Sequence, residues 1–315
     1  MWLLQSYEHA LEYFADPESV PPYLILSHTW GTEEVTFDDI KDLNLAESKQ
    51  GFRKILYICQ EARTRHVNYV WVDTCCIDKK SSAELSESIN AMYRYYQKAL
   101  LCCVYLDDLT EVPTQDLRTP AWAEAMRQSL SLCRWFTRGW TLQELLAPSI
   151  VLFYDRHWRF LGDACDLVDA LENITRIDIV YLLKIEEISS ASIAKRMSWA
   201  AERKTTRIED RAYSLLGIFN IHMPLLYGER HQAFYRLQEE IIRSSVDQTI
   251  FAWPGLIGKY SDLAGADVVR RASEMFAPSP DEFVDCGDVK LTSGWNDIKE
   301  YSMSNVGLRI TLPIV

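Results

Sequence analysis

The fold of the first half of this chain is decided at residues 23–28, Tyr23-Leu24-Ile25-Leu26-Ser27-His28. Four consecutive apolar residues follow Pro21-Pro22, and the run ends at a polar pair. A short continuous apolar run is typical of a strand that is buried on both faces of a sheet. We therefore predict a parallel sheet built around this strand, with Ser27 at the strand's carboxyl end.

Further apolar runs alternate with helical patterns along the chain. The pattern predicts, in order, a helix over 51–66, a strand over 69–72, a helix opening at 81, a strand over 101–106, helices over 121–132 and 141–146, and a strand over 150–154. This alternation favours parallel pairing through right-handed crossovers, and such sheets bind ligands beyond the carboxyl ends of their strands. Because Ser27, Asp73 and Asp107 each end a strand, we expect them to meet at one edge of the sheet.

After residue 160 the pattern becomes mostly helical. Helices are predicted over 165–171, 192–203, 206–219 and 231–243, and a strand is predicted over 249–253. From Pro254 onward, short runs interrupted by Gly and Pro indicate a β-rich region. We predict three segments: a core over 1–160, a helical extension over 161–253 and the start of a β-rich region over 254–315.

Composition excludes several classes of function. The 315 residues carry a net charge of -12, and an acidic chain is a poor general binder of nucleic acid because phosphate contacts need clustered Lys and Arg. No apolar stretch reaches roughly 18 residues, so no transmembrane helix is expected. The doublets Cys75-Cys76 and Cys102-Cys103 lie in apolar runs, which indicates buried reduced thiols. These features and the absence of a signal peptide predict a cytoplasmic protein.

Three segments carry most of the chemistry-bearing residues. They are Leu26-Ser27-His28-Thr29-Trp30-Gly31, then Trp71-Val72-Asp73-Thr74-Cys75-Cys76-Ile77-Asp78-Lys79, then Arg134-Trp135-Phe136-Thr137-Arg138-Gly139-Trp140-Thr141-Leu142-Gln143-Glu144-Leu145. In this order they resemble the three signature motifs of the fungal heterokaryon-incompatibility (HET) family. Residues 194–200, 209–218 and 223–228 are similar to the downstream part of that family, so the resemblance spans roughly residues 1–253.

HET domains are thought to be distant relatives of TIR domains, and the third segment carries this likeness. It is similar to the TIR helix in which a Trp is followed four residues later by a Glu, here Trp140 and Glu144. In NAD-cleaving TIR proteins that Glu is catalytic, so the resemblance implies a catalytic role for Glu144. The TIR pattern has Cys after the Trp, where this chain has Thr141. The implied fold is α/β: a TIR-like (flavodoxin-like) parallel sheet flanked by helices, followed by a mostly helical extension and a β-rich tail.

A NAD site at this edge has candidate residues for each part of the cofactor. The candidates are Ser27, His28 and Asp73 as hydrogen-bonding groups, Trp30 and Trp140 as stacking rings, and Arg134 and Arg138 as pyrophosphate partners. The chain has no C-x-x-C and no H-x-x-x-H spacing, so no metal is expected. NAD is therefore predicted as substrate, in a site of the TIR kind.

Each candidate also has a structural explanation. Thr141 and Glu144 fit a capping box, in which Glu144 would serve the start of its own helix. Asp73 fits a loop cap, and the two arginines fit ion pairs with acidic neighbours. The tryptophans fit core packing, and His28 fits a hydrogen-bonded structural residue. These alternatives stay open at the level of sequence.

The resemblance implies a cell-death effector in fungal non-self recognition that cleaves the nicotinamide–ribose bond of NAD. Such effectors act with a sensor or trigger module, and TIR enzymes work as oligomers, so self-association is expected. The alternative is a non-enzymatic TIR-like interaction module that signals by self-association alone. NAD and NADP, and hydrolysis and cyclisation, are not distinguished by the sequence.

Overall fold

The computed structural model describes residues 1–16, 19–111, 119–254 and 276–290, together with the backbone of 302–304 and 307–309. The chain divides into two compact units, Met1–Glu186 and Glu187–Val315. The segment boundaries after residues 160 and 253 stay predictions. In the described part of the chain, no helix combines the length and the apolar character that crossing a membrane requires.

The first unit is built on a seven-stranded sheet. Its strands are β1 (Trp2–Gln5), β2 (Leu11–Tyr13), β3 (Tyr23–His28), β4 (Tyr69–Trp71), β5 (Leu101–Tyr105), β6 (Val151–Tyr154) and β7 (Phe160–Asp163). The order across the sheet is β2-β1-β4-β3-β5-β6-β7. The four inner strands pair in parallel, and β3 at their centre is buried along its whole length, as the apolar run predicted.

The predicted parallel pairing holds for the four inner strands, but the sheet as a whole is mixed. Strands β1 and β2 form an antiparallel hairpin that joins β4, and β7 folds back antiparallel to β6. These outer strands are three or four residues long and are buried at no more than two central positions each, so they lack the continuous apolar run that marks the inner strands. The finer TIR-like assignment stays a prediction.

Helices cover both faces of this sheet. They are α1 (Leu43–Glu47), α2 (Phe52–Thr64), α3 (Ser82–Lys98), α4 (Pro120–Ser131), α5 (Thr141–Leu146), α6 (Val168–Thr175) and α7 (Ile179–Leu182). The connections β3–α2–β4 and β4–α3–β5 run in opposite directions across the sheet, and right-handed crossovers then place α2 and α3 on opposite faces. Helix α2 packs on β3 and β4, and α5 packs on α3 and β3.

This arrangement separates neighbouring residues of β3. Side chains alternate between the two faces of a strand, so Ser27 and His28 face different helices. Ser27 contacts α5, and His28 contacts α2. The cysteine doublets 75–76 and 102–103 are buried free thiols, which confirms that prediction.

The second unit is mostly helical in its described residues. Its helices are α8 (Ile193–Ala200), α9 (Asp210–Tyr213), α10 (Leu216–Phe219) and α11 (Gln232–Ser244), and a hairpin pairs β8 (Ser302–Ser304) with β9 (Gly307–Arg309). The single helix predicted over 206–219 is wrong, because the segment forms the two short helices α9 and α10, and the carboxylate of Glu209 accepts the backbone N–H groups of Gly228 and Arg230.

The strand predicted over 249–253 is also wrong. Residues Gln248–Phe251 form a 3₁₀ turn, and the carboxylate of Asp247 accepts the backbone N–H of Thr249 at its start. Of the predicted β-rich region, the hairpin of β8 and β9 is described. Residues 255–275, 291–301, 305–306 and 310–315 lie outside the described residues.

Candidate functional site

Glu144 lies at the carboxyl edge of the parallel strands, with 8% of its surface exposed. Helix α5 packs against β3 and brings the carboxylate to the end of that strand. The hydroxyl of Ser27 donates a hydrogen bond to Glu144 Oε2. The indole Nε1 of Trp135 donates in turn to Ser27 Oγ at 2.7 Å. A buried chain of hydrogen bonds therefore runs from Trp135 through Ser27 to Glu144.

The capping-box interpretation of Glu144 is wrong. The residue that caps α5 is Trp140, and its side chain makes no capping hydrogen bond. Thr141 Oγ1 donates instead to the carbonyl oxygens of Trp135, at 2.6 Å, and Arg138, at 2.9 Å. The threonine hydroxyl therefore closes the preceding turn, and the Glu144 carboxylate reaches across to Ser27.

The direction of these hydrogen bonds fixes the role of one carboxylate oxygen. An indole N–H only donates, so Ser27 Oγ accepts from Trp135 and its own proton is available to Glu144. When the carboxyl group is ionised, Glu144 Oε2 therefore accepts the hydrogen bond from Ser27.

Burial raises the pKa of Glu144 to about 8. The hydrogen bond from Ser27 lowers the pKa, the negative charge of Asp73 raises it, and Tyr96 and Arg138 lower it by smaller amounts. Desolvation dominates because a carboxylate loses hydration in this position. The neutral form is therefore the major form at neutral pH.

Trp135→Phe is expected to raise the pKa of Glu144 further, by about one unit. The substitution keeps a ring in the core but removes the N–H that orients Ser27, so Ser27 no longer has to donate to the carboxylate. The carboxyl ¹³C shift of labelled Glu144, followed against pH, measures this change. The matched control is Trp253→Phe, since Trp253 Nε1 has no hydrogen-bond partner among the described residues. An unchanged titration in Trp135→Phe would contradict the orienting role.

A second cluster lies on the α2 side of β3. His28 Nε2 lies 3.0 Å from Asp73 Oδ1, and Trp30 Nε1 donates to Asp73 Oδ2 at 2.8 Å. The ammonium of Lys54, which also pairs with Glu34, lies 2.7 Å from His28 Nδ1. Because an ammonium only donates, Nδ1 accepts, and Nε2 carries the proton that is donated to Asp73.

Asp73 is held as an anion by these neighbours. Burial raises its pKa, but hydrogen bonds from His28 and Trp30 and the positive charge of Lys79 outweigh burial, so the pKa lies below its usual range. The Lys79 ammonium sits 3.7 Å from the centre of the Trp30 ring. Trp30 is thereby fixed at the sheet edge while 42% of its surface stays exposed.

The remaining predicted residues are placed less closely. Arg134 is exposed and binds Asp107, at 2.7 Å, and Asp108. Arg138 is half-buried, and its positive charge lowers the pKa of Glu144. Trp140 is half-buried at the start of α5. The structure thus joins Ser27 to Glu144 and joins His28 and Trp30 to Asp73.

Three contributors were missed at the level of sequence. Trp135 lies in the third motif directly after Arg134, and nothing in that position marks an indole that bonds to a strand 108 residues away. Tyr96 falls within the helix predicted to open at 81; its hydroxyl donates to the carbonyl of Leu26 at 3.3 Å, and it lowers the pKa of Glu144. Lys54 sits in the predicted helix of α2 without any signal that distinguishes it from a solvated lysine.

Comparison with known families agrees with the motifs. Residues 23–131 match the family described as Heterokaryon incompatibility protein (HET), and residues 232–315 match a Domain of unknown function (DUF8212). Ser27, His28, Trp30 and Asp73 fall inside the first matched range, and Glu144 lies beyond it.

Among curated proteins, the chain is similar to Vegetative incompatibility protein HET-E-1 of Podospora anserina, with 45% identity over 225 residues. The aligned part covers 70% of this chain and 16% of that relative's length. No solved structure matches the chain significantly. The motifs occur in the expected order, residues 23–131 match the family, and the relative is 45% identical. The chain therefore belongs to the fungal heterokaryon-incompatibility (HET) family.

Proposed function

We propose that this chain is an effector domain in fungal heterokaryon incompatibility that has a TIR-like fold and cleaves the nicotinamide–ribose bond of NAD, with Glu144 as the catalytic carboxylate. The family and the relative named for vegetative incompatibility support the biological role. One observation carries the chemistry: Glu144 is a buried carboxyl group at the carboxyl edge of the parallel strands, and it forms no ion pair within the described residues.

The chemistry of the bond suits a single carboxylate. Cleavage between nicotinamide and ribose passes through an oxocarbenium-like transition state. Nicotinamide leaves as a neutral molecule, so no strong general acid is needed. An anionic Glu144 beside the ribose stabilises the developing positive charge, and Ser27, by donating to Oε2, leaves Oε1 for the sugar.

Other residues at the edge hold the rest of the cofactor in this proposal. Trp30 offers an exposed ring for stacking, and its orientation is fixed by Asp73. Arg138 and Arg134 supply planar guanidinium groups that match pyrophosphate oxygens. Self-association and a sensor or trigger module complete the proposal, because TIR-like sites are commonly finished by assembly.

The test is incubation of concentrated or artificially clustered protein with NAD, with free nicotinamide as the readout. Nicotinamide release that rises with clustering is the expected result. Release by the dispersed chain alone would still support cleavage and would remove the need for assembly. No nicotinamide under any clustering condition would favour the rival function, a self-associating interaction module in which Glu144 only stabilises the sheet edge.

A further inference from the structure

A cleft of ≈ 540 Å³ opens on the α2 side of the sheet edge. The segment after β3, the start of α2 and the ends of β5 and β6 form its walls. Tyr105, which lines the cleft, is the register partner of His28, so both face the α2 side. Ser27 faces the other side, where it contacts Glu144, and Glu144 does not line the cleft. The cleft therefore lies on the other side of β3 from the carboxylate of Glu144.

Its size suits a small organic ligand. Small-molecule sites commonly have volumes of about 300–1,000 Å³, and this cleft falls within that range. The lining is polar and carries both signs of charge, with four basic and four acidic side chains. A purely anionic or purely cationic ligand matches half of these groups, so the lining favours a ligand with different chemistry at its two ends.

Two of the basic side chains keep N–H groups that no described residue accepts. Lys49 and Lys54 are already paired with carboxylates. Arg53 uses Nε to donate to Tyr57 Oη at 2.6 Å, which leaves its terminal N–H groups. The side chain of Arg156 makes no hydrogen bond or ion pair within the described residues. Two exposed guanidinium groups therefore line one cleft, and guanidinium geometry matches phosphate oxygens.

One of the acidic groups has an acceptor to spare. Glu34 Oε1 accepts from Lys54 and from the backbone N–H of Gly31. Glu34 Oε2 is buried and has no hydrogen-bond partner among the described residues. It lies against Gly51, where an added Cβ would come within 2.9 Å of it. A buried acceptor without a donor is costly, and a ligand hydroxyl would satisfy it.

We propose that this cleft is a second binding site, for a ribonucleotide, whose phosphate binds Arg53 and Arg156 and whose ribose hydroxyls bind Glu34. Vicinal ribose hydroxyls are donors that carboxylates commonly recognise in nucleotide sites. The site lies on the opposite side of the strands from Glu144, so it binds a nucleotide without cleaving it.

Calorimetric titration of the full chain with AMP tests the proposal. Arg53→Ala combined with Arg156→Ala is expected to weaken AMP binding by ~10-fold or more, because two charge-assisted contacts are lost. Arg127→Ala, which removes an exposed arginine of α4 outside the cleft lining, controls for the loss of a surface arginine and should leave binding unchanged. Glu144→Gln should also leave it unchanged, and circular dichroism checks that each variant is folded.

A second set of measurements tests the proposed contact between the ribose hydroxyls and Glu34. A 2′,3′-dideoxy analogue of AMP should bind the unmutated chain more weakly, and Glu34→Gln should reduce that discrimination. Binding that is lost in Glu144→Gln and kept in the double arginine variant would overturn the proposal, as would no binding of AMP at millimolar concentration. Equal affinity for inorganic phosphate and AMP would overturn the ribose assignment. None of these outcomes depends on whether the chain cleaves NAD.

Discussion

Glu144→Gln is expected to lower kcat for nicotinamide release from NAD by about 10²–10³-fold, the loss typical when one group that stabilises a transition-state charge is removed. Glutamine keeps the size of the side chain, and its carbonyl oxygen still accepts the hydrogen bond from Ser27. What disappears is the negative charge beside the ribose. The loss should therefore appear in kcat more than in KM.

The same substitution separates catalysis from structure. Burial disfavours the ionised carboxylate, so Glu144→Gln should be at least as stable as the unmutated chain at pH 8, as measured by chemical unfolding. Glu124→Gln, an exposed glutamate of α4 paired with Arg127, is the matched control and should leave cleavage intact. Full activity in a folded Glu144→Gln variant would remove this residue from the reaction.

The pH dependence of kcat/KM for NAD cleavage should follow the ionisation of Glu144. The carboxylate must be anionic to stabilise the oxocarbenium ion, and burial raises its pKa to about 8. The anionic fraction therefore grows nearly tenfold per pH unit well below that value, so kcat/KM should rise by about 50-fold from pH 6 to pH 8 and level off above about pH 9. A profile already flat above pH 5 would show that the reacting group has an ordinary carboxyl pKa.

The stability of the fold should change with pH in the opposite sense. The folded-state pKa of Glu144 is raised from 4.5 to about 8, so between these values the folded chain holds a proton that the unfolded chain has released. Stability from this group is then fully present below pH 4.5 and is lost as the pH rises towards 8. Glu144→Gln should remove this contribution, and unfolding free energies at pH 5 and pH 8 in both proteins measure it.

Much of the central sheet was predictable from local pattern. The four inner strands lie where continuous apolar runs predicted them, and α5 begins and ends at the predicted residues, Thr141 and Leu146. The expected meeting of Asp73 and Asp107 with the end of β3 is confirmed through their bonds to His28 and Thr29. These features follow from properties of consecutive residues, namely apolar length and helical spacing.

The outer strands and the side-chain partners of Thr141 and Glu144 were not predictable in this way. β1, β2 and β7 are short, and their place at the sheet edges comes from pairing with β4 and β6. Thr141 and Glu144 have the spacing of a capping box, yet both side chains are drawn to other partners. A local motif predicts a local bond only when no stronger partner is packed against it.

Local patterns of residues were enough to predict the family, the inner strands of the sheet and the single carboxylate on which the proposed chemistry depends. The tertiary structure decided what that carboxylate contacts, because Ser27 lies 117 residues from Glu144 and 108 residues from Trp135 along the chain. The tertiary structure also decided what Ser27 and His28 contact. Neighbouring residues of a strand face opposite sides of the sheet, and their partners depend on which helix covers each side. Hydrogen-bond direction and desolvation, which set the pKa of Glu144, arise from that packing and are not encoded in any local stretch of residues.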